Sequence, residues 1–384
     1  MHIAFLTPEY PHAKVKHAAG LGTSIGNLVS ALVKQGVSVT VIVYGQEKSE
    51  IFKENGITFH LIDDKKYRFA KWFLYRKYIQ KYCNTVIKGE KIDILEAPDW
   101  TGITAFMNFR IPLVIRFHGS DTYFCHLEKR KQKLKNFWFE KLAIQKAEGY
   151  IAPTTFAGKL SAELFGIQTE KIKTIHHGLE LDQFENDFPN QFEKGLIVYI
   201  GTIIRKKGVL ELPAIFHRVR AKFPEARLVL IGADSSDILT GEMSTWELLQ
   251  QKITANDMPS VIYLGKIPYD EVKNYIQKAH LCVFPTFAET LGMVTIESMA
   301  MQKPVVNSNM GWAQELMVDG VSGYLVNPEN HEEYAQKMIQ ILSNEELASK
   351  MGLEAKKQVQ NKFDINQIVK ENLNYYETII SKQC

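Results

Sequence analysis

Two glutamates, Glu289 and Glu297, stand out in this 384-residue chain as side chains whose type and spacing suit polar chemistry. They lie in Phe284-Pro285-Thr286-Phe287-Ala288-Glu289-Thr290-Leu291-Gly292-Met293-Val294-Thr295-Ile296-Glu297-Ser298-Met299-Ala300. The pattern predicts a strand ending at Pro285, a loop carrying Glu289 and a helix beginning near Thr290–Leu291. Backbone amides at such a helix start suit a phosphate or polar ligand, and Gly292 permits close backbone approach. Glu297 falls about two turns into an otherwise apolar helix, where a carboxylate needs donors. Two vicinal ribose hydroxyls would supply them. A plainer reading also fits: Glu289 caps the helix, and Glu297 pairs with a core Lys or Arg.

A second group is Gly201-Thr202-Ile203-Ile204-Arg205-Lys206-Lys207-Gly208, after a predicted strand. Its clustered cations suit an anionic ligand, and Arg205 has the planar fork for two oxygens. The alternative is a solvated basic turn opening a helix. Ala19-Gly20-Leu21-Gly22-Thr23 follows the first strand, where glycines let amides approach a pyrophosphate or an acceptor; a plain turn is the other reading. His118, in Arg116-Phe117-His118-Gly119-Ser120-Asp121, ends another strand and is suited to hydrogen-bond a hydroxyl or developing charge. His176 and His177 lack the companion ligands that a metal needs.

The elements that must position these residues alternate along nearly the whole chain. In the first half strands are predicted near 2–7, 37–43, 57–62, 92–96, 113–117, 150–152 and 172–176. In the second they fall near 196–200, 227–231, 261–264, 281–284, 305–307 and 324–326. Most are continuous apolar runs, as parallel strands buried on both faces require. Helices such as 24–35, 209–222 and 291–301 fill the intervals, so the fold class is α/β with right-handed crossovers in two similar halves. The polar stretch 184–194 reads as the linker. Two doubly wound domains would face a central cleft, and such sheets bind ligands beyond the carboxyl ends of their strands.

The Glu289–Glu297 stretch resembles the E-x7-E region of family 4 glycosyltransferases, a retaining group with the GT-B fold. Lys303-Pro304-Val305-Val306, Gly311, Glu315, Asp319-Gly320, Gly323-Tyr324-Leu325-Val326 and Pro328 follow at the family's spacing. The resemblance implies that Glu289 contacts hydroxyls of the donor sugar and that Glu297 holds the nucleotide's ribose. The amides of Leu291, Gly292 and Met293 would face the sugar and diphosphate. Lys207 before Gly208 matches the family's phosphate-binding lysine. The arginine that the family places after the glycine is Thr202 here, so Arg205 is expected to reach the diphosphate instead. The loop with Gly20 and Gly22 resembles the family's glycine-rich loop and is assigned to donor binding. The lysine that glycogen synthases carry before it is His17, with Lys16 adjacent, so no role transfers there. His118 matches a histidine that the family holds close to the reacting centre. Residues 176–184 resemble the family's N-G-V-D-x-x-x-F element, with His177 in place of Asn, and read as a hinge.

The resemblance implies a GT-B protein of two Rossmann-like domains: an acceptor-side domain at 1–190 and a nucleotide-sugar domain at 191–363. A C-terminal helix at 364–384 would cross back to the first. The expected activity is retaining transfer of a sugar from a nucleoside-diphosphate sugar to a hydroxyl of a glycan or lipid-linked acceptor, in cell-surface polysaccharide or glycan biosynthesis. No cofactor and no metal are expected, with Lys207 and Arg205 carrying the charge and the donor's own phosphate taking the acceptor proton. The alternatives are a sugar-nucleotide epimerase of the same architecture, a glycogen- or starch-type synthase, and a non-catalytic sugar-nucleotide binder.

Composition narrows the class further. Apolar residues make up 45% and charged residues 23%, which excludes a disordered or fibrous chain. No apolar run is long enough for a transmembrane helix, and the start lacks the basic flank of a signal peptide. Cys83, Cys125, Cys282 and Cys384 are far apart, which fits a reducing cytosol and argues against zinc. The expected location is therefore cytoplasmic, peripheral on the membrane face if the following reading holds. The net charge of +3 hides a division: residues 1–190 carry 26 Lys and Arg against 20 Asp and Glu, whereas 191–384 carry 20 against 23. The excess lies in 65–88, which has eight basic, seven aromatic and no acidic residues, and in 126–146. Such stretches suit an anionic membrane surface; an ordinary amphipathic helix is the other reading, and no nucleic-acid partner is expected.

Overall fold

The computed structural model describes residues 1–382; Gln383 and Cys384 lie outside the described residues, and with them the end of the predicted 364–384 helix. The chain divides into two compact units, one made of Met1–Leu179 with the segment from Ile365, the other of Glu180–Asp364. The 190/191 boundary expected from the sequence falls inside the second unit. The predicted linker is not a free tether. Phe184 packs on Tyr269, the buried Asn186 donates to the Met301 carbonyl, and Phe192 stacks on His280. Aromatic anchors override the polar composition of that stretch.

The first unit runs β1 (His2–Thr7), α1 (Gly20–Lys34), β2 (Ser38–Gln46), β3 (Glu50–Glu54), β4 (Ile57–Asp63), α2 (Lys71–Glu90), β5 (Ile94–Pro98) and β6 (Leu113–Arg116). It continues with α3 (Asp121–Leu127), α4 (Leu134–Ile144), β7 (Gly149–Ala152), α5 (Thr155–Phe165) and β8 (Ile172–Thr174). Its sheet has the order β3-β4-β2-β1-β5-β6-β7-β8, parallel except for the β3–β4 hairpin. The sequence reading passed over β3. Its residues, Glu-Ile-Phe-Lys-Glu, are mostly exposed on a sheet edge, so they show no apolar run. The Asn55-Gly56 turn, with φ of 50° and 78°, is the local signal that marks it.

Side chains alternate across this sheet. Ile3 and Phe5 of β1 join the core under α1, whereas Ala4 and Leu6 join the core under α2. Both faces are therefore covered, which is why β1 reads as one apolar run.

The second unit runs β9 (Leu196–Ile200), α6 (Leu212–Lys222), β10 (Arg227–Ile231), α7 (Thr245–Gln250), β11 (Val261–Tyr263), α8 (Tyr269–Lys278) and β12 (Leu281–Phe284). After it come α9 (Met293–Ala300), β13 (Val305–Ser308), β14 (Tyr324–Val326), α10 (His331–Leu342) and α11 (Glu345–Lys362). Its all-parallel sheet has the order β11-β10-β9-β12-β13-β14, the doubly wound arrangement with its switch point where β9 meets β12. The last helix, α12 (Ile365–Ser381), belongs to the first unit. Ile365, Ile368, Val369, Tyr376 and Ile379 enter the α1-side core. Asn372 and Tyr376 also bond the buried Arg116, whose guanidinium forms a two-point pair with Glu96.

Candidate functional site

Lys207 follows β9 and Glu289 follows β12, so the two strands that flank the switch point of the second sheet deliver them to the same carboxyl edge. Their loops are zipped together by the backbone. The amides of Phe287 and Ala288 both donate to the Lys206 carbonyl, at 2.9 and 3.2 Å. Gly208 makes this approach possible. It sits at φ 68°, and a Cβ there would lie 1.7 Å from the Pro285 oxygen. The Lys207 ammonium then donates to Glu289 Oε2, while Glu289 Oε1 accepts from the Thr290 amide. Burial pushes the Glu289 carboxyl up, but Lys207 and Lys206 outweigh it and hold the group below its usual value. Glu289 is therefore an anion beside a fixed cation.

The helix does not begin at Thr290–Leu291 as predicted. Gly292, at φ 96°, interrupts the backbone, and α9 starts at Met293. Leu291 and Gly292 therefore belong to a bend before the first turn, with Trp312 packed against Gly292 and its indole Nε1 buried without a hydrogen-bond partner among the described residues. Glu297 is buried on α9 and takes its hydrogen bond from Tyr269, not from a core cation. Burial raises its carboxyl to about 7, only partly offset by the tyrosine. The reading in which Glu297 pairs with a Lys or Arg does not hold.

Arg205 lies in the same loop, but its Nε and Nη2 donate to the two oxygens of Asp237, both at 2.8 Å. Asp237 is buried and also accepts from the amide and hydroxyl of Thr240. The Arg205 fork holds its carboxyl far below the usual range, with burial opposing. The fork expected to reach a diphosphate is thus committed to Asp237. Sequence reading missed both Asp237 and Tyr269. Neither stands at a motif spacing, and only folding brings them to Arg205 and Glu297.

The remaining candidates belong to the first unit. Gly20 and Gly22 are not in a loop but form the first turn of α1. The Gly22 amide donates to Glu9 Oε1 at 2.6 Å, so a helix start that lacks a side-chain N-cap is capped from the β1 loop instead. That amide is therefore unavailable to a pyrophosphate. His118 follows β6, with its own amide held by Asp99 at 2.9 Å and its ring stacked on His177, centroids 5.2 Å apart. His177 in turn bonds Ser24 of α1. Burial, then the neighbouring His177 and Arg116, push the His118 imidazole well below its ordinary value, and its Nε2 is buried without a hydrogen-bond partner among the described residues. A neutral imidazole with one uncommitted nitrogen can donate or accept a hydrogen bond but carries no charge. Asp99, missed in the sequence, is a fully buried acid; burial raises it to about 7 although the amides of His118, Gly119 and Ser120 oppose the rise. Among the described residues no group of three or more His, Cys, Asp and Glu side chains converges as metal ligands do.

A cation and an anion at the switch point of a doubly wound sheet suit a ligand with phosphates and hydroxyls. The family model for glycosyl transferases group 1 matches residues 182–358, and that for glycosyltransferase family 4 matches residues 18–183. This chain belongs to the group 1 glycosyltransferases. The glycosyltransferase is 25% identical over 399 residues to an uncharacterized glycosyltransferase of Methanocaldococcus jannaschii, covering 98% of each chain. It is 29% identical over 217 residues to the capsular polysaccharide biosynthesis glycosyltransferase CapM of Staphylococcus aureus, 56% of this chain and 54% of that one. Among solved structures, Anabaena HepE in complex with UDP and glucose superposes with a TM-score of 0.77 at 16% identity, covering 98% of this chain and 100% of that one. The two-unit architecture is thus the GT-B fold, and the enzyme transfers glycosyl groups.

Proposed function

We propose that this glycosyltransferase moves a sugar from a nucleoside-diphosphate sugar to a hydroxyl of a glycan or lipid-linked acceptor, with retention of configuration, in cell-surface polysaccharide synthesis. The observation that carries the donor assignment is the Lys207–Glu289 pair at the carboxyl edge where β9 meets β12. It sets a phosphate-seeking cation beside a hydroxyl-seeking anion. The UDP in HepE supports a diphosphate donor, and the 29% identity to CapM supports the polysaccharide role.

In this reading Glu297 accepts from the ribose hydroxyls and Glu289 from hydroxyls of the transferred sugar. Lys207 and the amides at the start of α9 meet the negative charge that grows on the departing diphosphate, so they stabilise the transition state more than the ground state. The bond from the anomeric carbon to the phosphate oxygen breaks, and the acceptor oxygen bonds the same carbon from the same face. The acceptor proton passes to the departing phosphate, so no side chain need act as base. Lys207 carries the charge for which other enzymes use a metal. Arg205, tied to Asp237, shapes the loop that presents Lys207. His118 supplies a neutral hydrogen bond to a substrate hydroxyl.

The test is a panel of UDP, GDP and ADP sugars, reading nucleoside diphosphate release with and without a polyprenyl-linked glycan extract. Release from one donor, raised by the extract and lost in Glu289→Ala, is the expected result. No release from any donor, or unchanged release in Glu289→Ala, would overturn the reading. An isomerised sugar without acceptor would indicate an epimerase instead.

A further inference from the structure

The two basic, aromatic stretches are far apart in sequence but meet in the first unit. Trp72 of α2 stacks on Phe139 of α4 with centroids 5.2 Å apart, and Lys135 of α4 lies over the Trp72 ring. Arg76 of α2 donates to the carbonyls of Thr101 and Gly102, which ties in the turn that carries Trp100. Around this junction large apolar side chains stand in water: Phe69 is 74% exposed, Leu134 76% and Trp138 53%, with Trp72 and Trp100 above 40%. Leu134 and Trp138 are four residues apart on α4 and share a face. Trp72 is partly covered by Phe139, whereas Phe69, Leu134 and Trp138 are left more than half in water.

The charge around them is one-sided. Of the nearby acids, Asp63 and Asp64 are paired with Lys65 and Lys71, and Asp121 and Glu128 share Arg130. Lys66, Lys131 and Lys133 are exposed and have no carboxylate partner among the described residues. The location also has a direction. Phe69 and Trp72 follow the carboxyl end of β4, Trp100 follows β5, and α4 starts at the carboxyl edge before running back to β7. That is the edge of the same sheet that carries His118.

We infer that this composite face of α2, α4 and the Trp100 turn docks on an anionic lipid bilayer. The exposed aliphatic Leu134, which offers no ring for a base to stack on, distinguishes it from a nucleic-acid surface, where basic and stacking groups suffice. Aromatic rings and lysine stems suit the interface, and unpaired lysines meet the lipid phosphates. Docking places the His118 edge of the sheet next to the membrane, so the acceptor is taken from the bilayer surface. Only this last clause rests on the function proposed above.

The full-length protein is sedimented, without any donor, with vesicles of phosphatidylcholine alone and with vesicles in which about a third of the lipid is phosphatidylglycerol. Wild type is expected to sediment with the anionic vesicles only, and to be released as salt approaches about 1 M, where screening shortens to ~3 Å. Lys66→Glu with Lys133→Glu, and separately Leu134→Ser with Trp138→Ser, each lower binding about tenfold or more. These side chains are already in water, so thermal midpoints should match wild type; if one pair melts early, the wild-type salt and lipid series decides alone. Equal sedimentation with neutral and anionic vesicles, none with either, unchanged binding in both pairs, or tighter binding to single-stranded RNA at the same salt would each overturn the inference. Donor turnover in the absence of vesicles is measured in parallel. Turnover without docking removes this inference and leaves the proposed function, and docking without turnover does the reverse.

Discussion

Glu297 is a buried carboxylate on α9 with Tyr269 as its hydrogen-bond donor, and its proton affinity records the burial. Its folded value of about 7 lies above the ordinary 4.5, so the folded state holds the proton more tightly than the unfolded chain does. Stability from this group is therefore fully present below about pH 4.5, falls as pH rises towards 7 and is level above it. A rise of this size corresponds to about 3 kcal/mol. Glu297→Gln keeps an acceptor for Tyr269 and removes the charge. It is expected to raise the thermal midpoint at pH 8, to change it little at pH 4.5, and to flatten the wild-type slope between them. Equal midpoint changes at both pH values would contradict the burial argument. Lys207 and Glu289 are tested by activity. Lys207→Ala is expected to lower kcat by about a hundredfold or more, because one fixed charge at a developing anion is lost. Glu289→Gln should also fall, while the melting temperature of each stays within a few degrees.

At the scale of elements, the approach of the β9 loop to the β12 loop depends on one residue. Gly208→Ala would put a Cβ 1.7 Å from the Pro285 oxygen at φ 68°, so the loops must separate and Lys207 must leave Glu289. A loss of about 2 kcal/mol or more is expected, with activity falling as for Lys207→Ala. Gly241 is the control: its φ is 82° but nothing lies within 4 Å of a Cβ, so Gly241→Ala should cost only the left-handed penalty, about 1 kcal/mol, and keep activity. Equal effects of the two substitutions would mean that the close approach does not matter. Asp237 tests a second contact of the same loop. Asp237→Asn weakens the two-point grip on Arg205, and a modest rise in donor KM with kcat kept is the expected sign of a positioning role.

At the scale of the molecule, the two units differ in how the chain builds them. Residues 180–364 form one unit from continuous chain, whereas the other is completed by α12. A fragment of residues 180–364 is expected to unfold cooperatively by itself. Residues 1–179 should not fold stably alone, because losing α12 strips Tyr376, Asn372 and four aliphatic side chains from a core that contains the buried Arg116–Glu96 pair. A buried charge pair deprived of its neighbouring hydrogen bonds is destabilising. Circular dichroism melts of the two fragments, with residues 365–382 then supplied to the first as a peptide, check this. A cooperative melt of residues 1–179 without the peptide would refute it.

Periodicity and motif spacing, which are local, were enough to read the alternating α/β order, the family resemblance and the positions of Lys207, Glu289 and Glu297. A buried parallel strand announces itself by composition because both of its faces must be apolar. An exposed edge strand such as β3 does not, and a segment such as 184–194 looks like a linker until its phenylalanines find partners. What only the tertiary structure decided concerns partners distant in the chain. Arg205 is claimed by Asp237, Glu297 by Tyr269, the Gly22 amide by Glu9, and two separate basic helices meet at Trp72 and Phe139. Hydrogen bonds, burial and charge depend on distance in space, and a one-dimensional pattern carries no record of that distance.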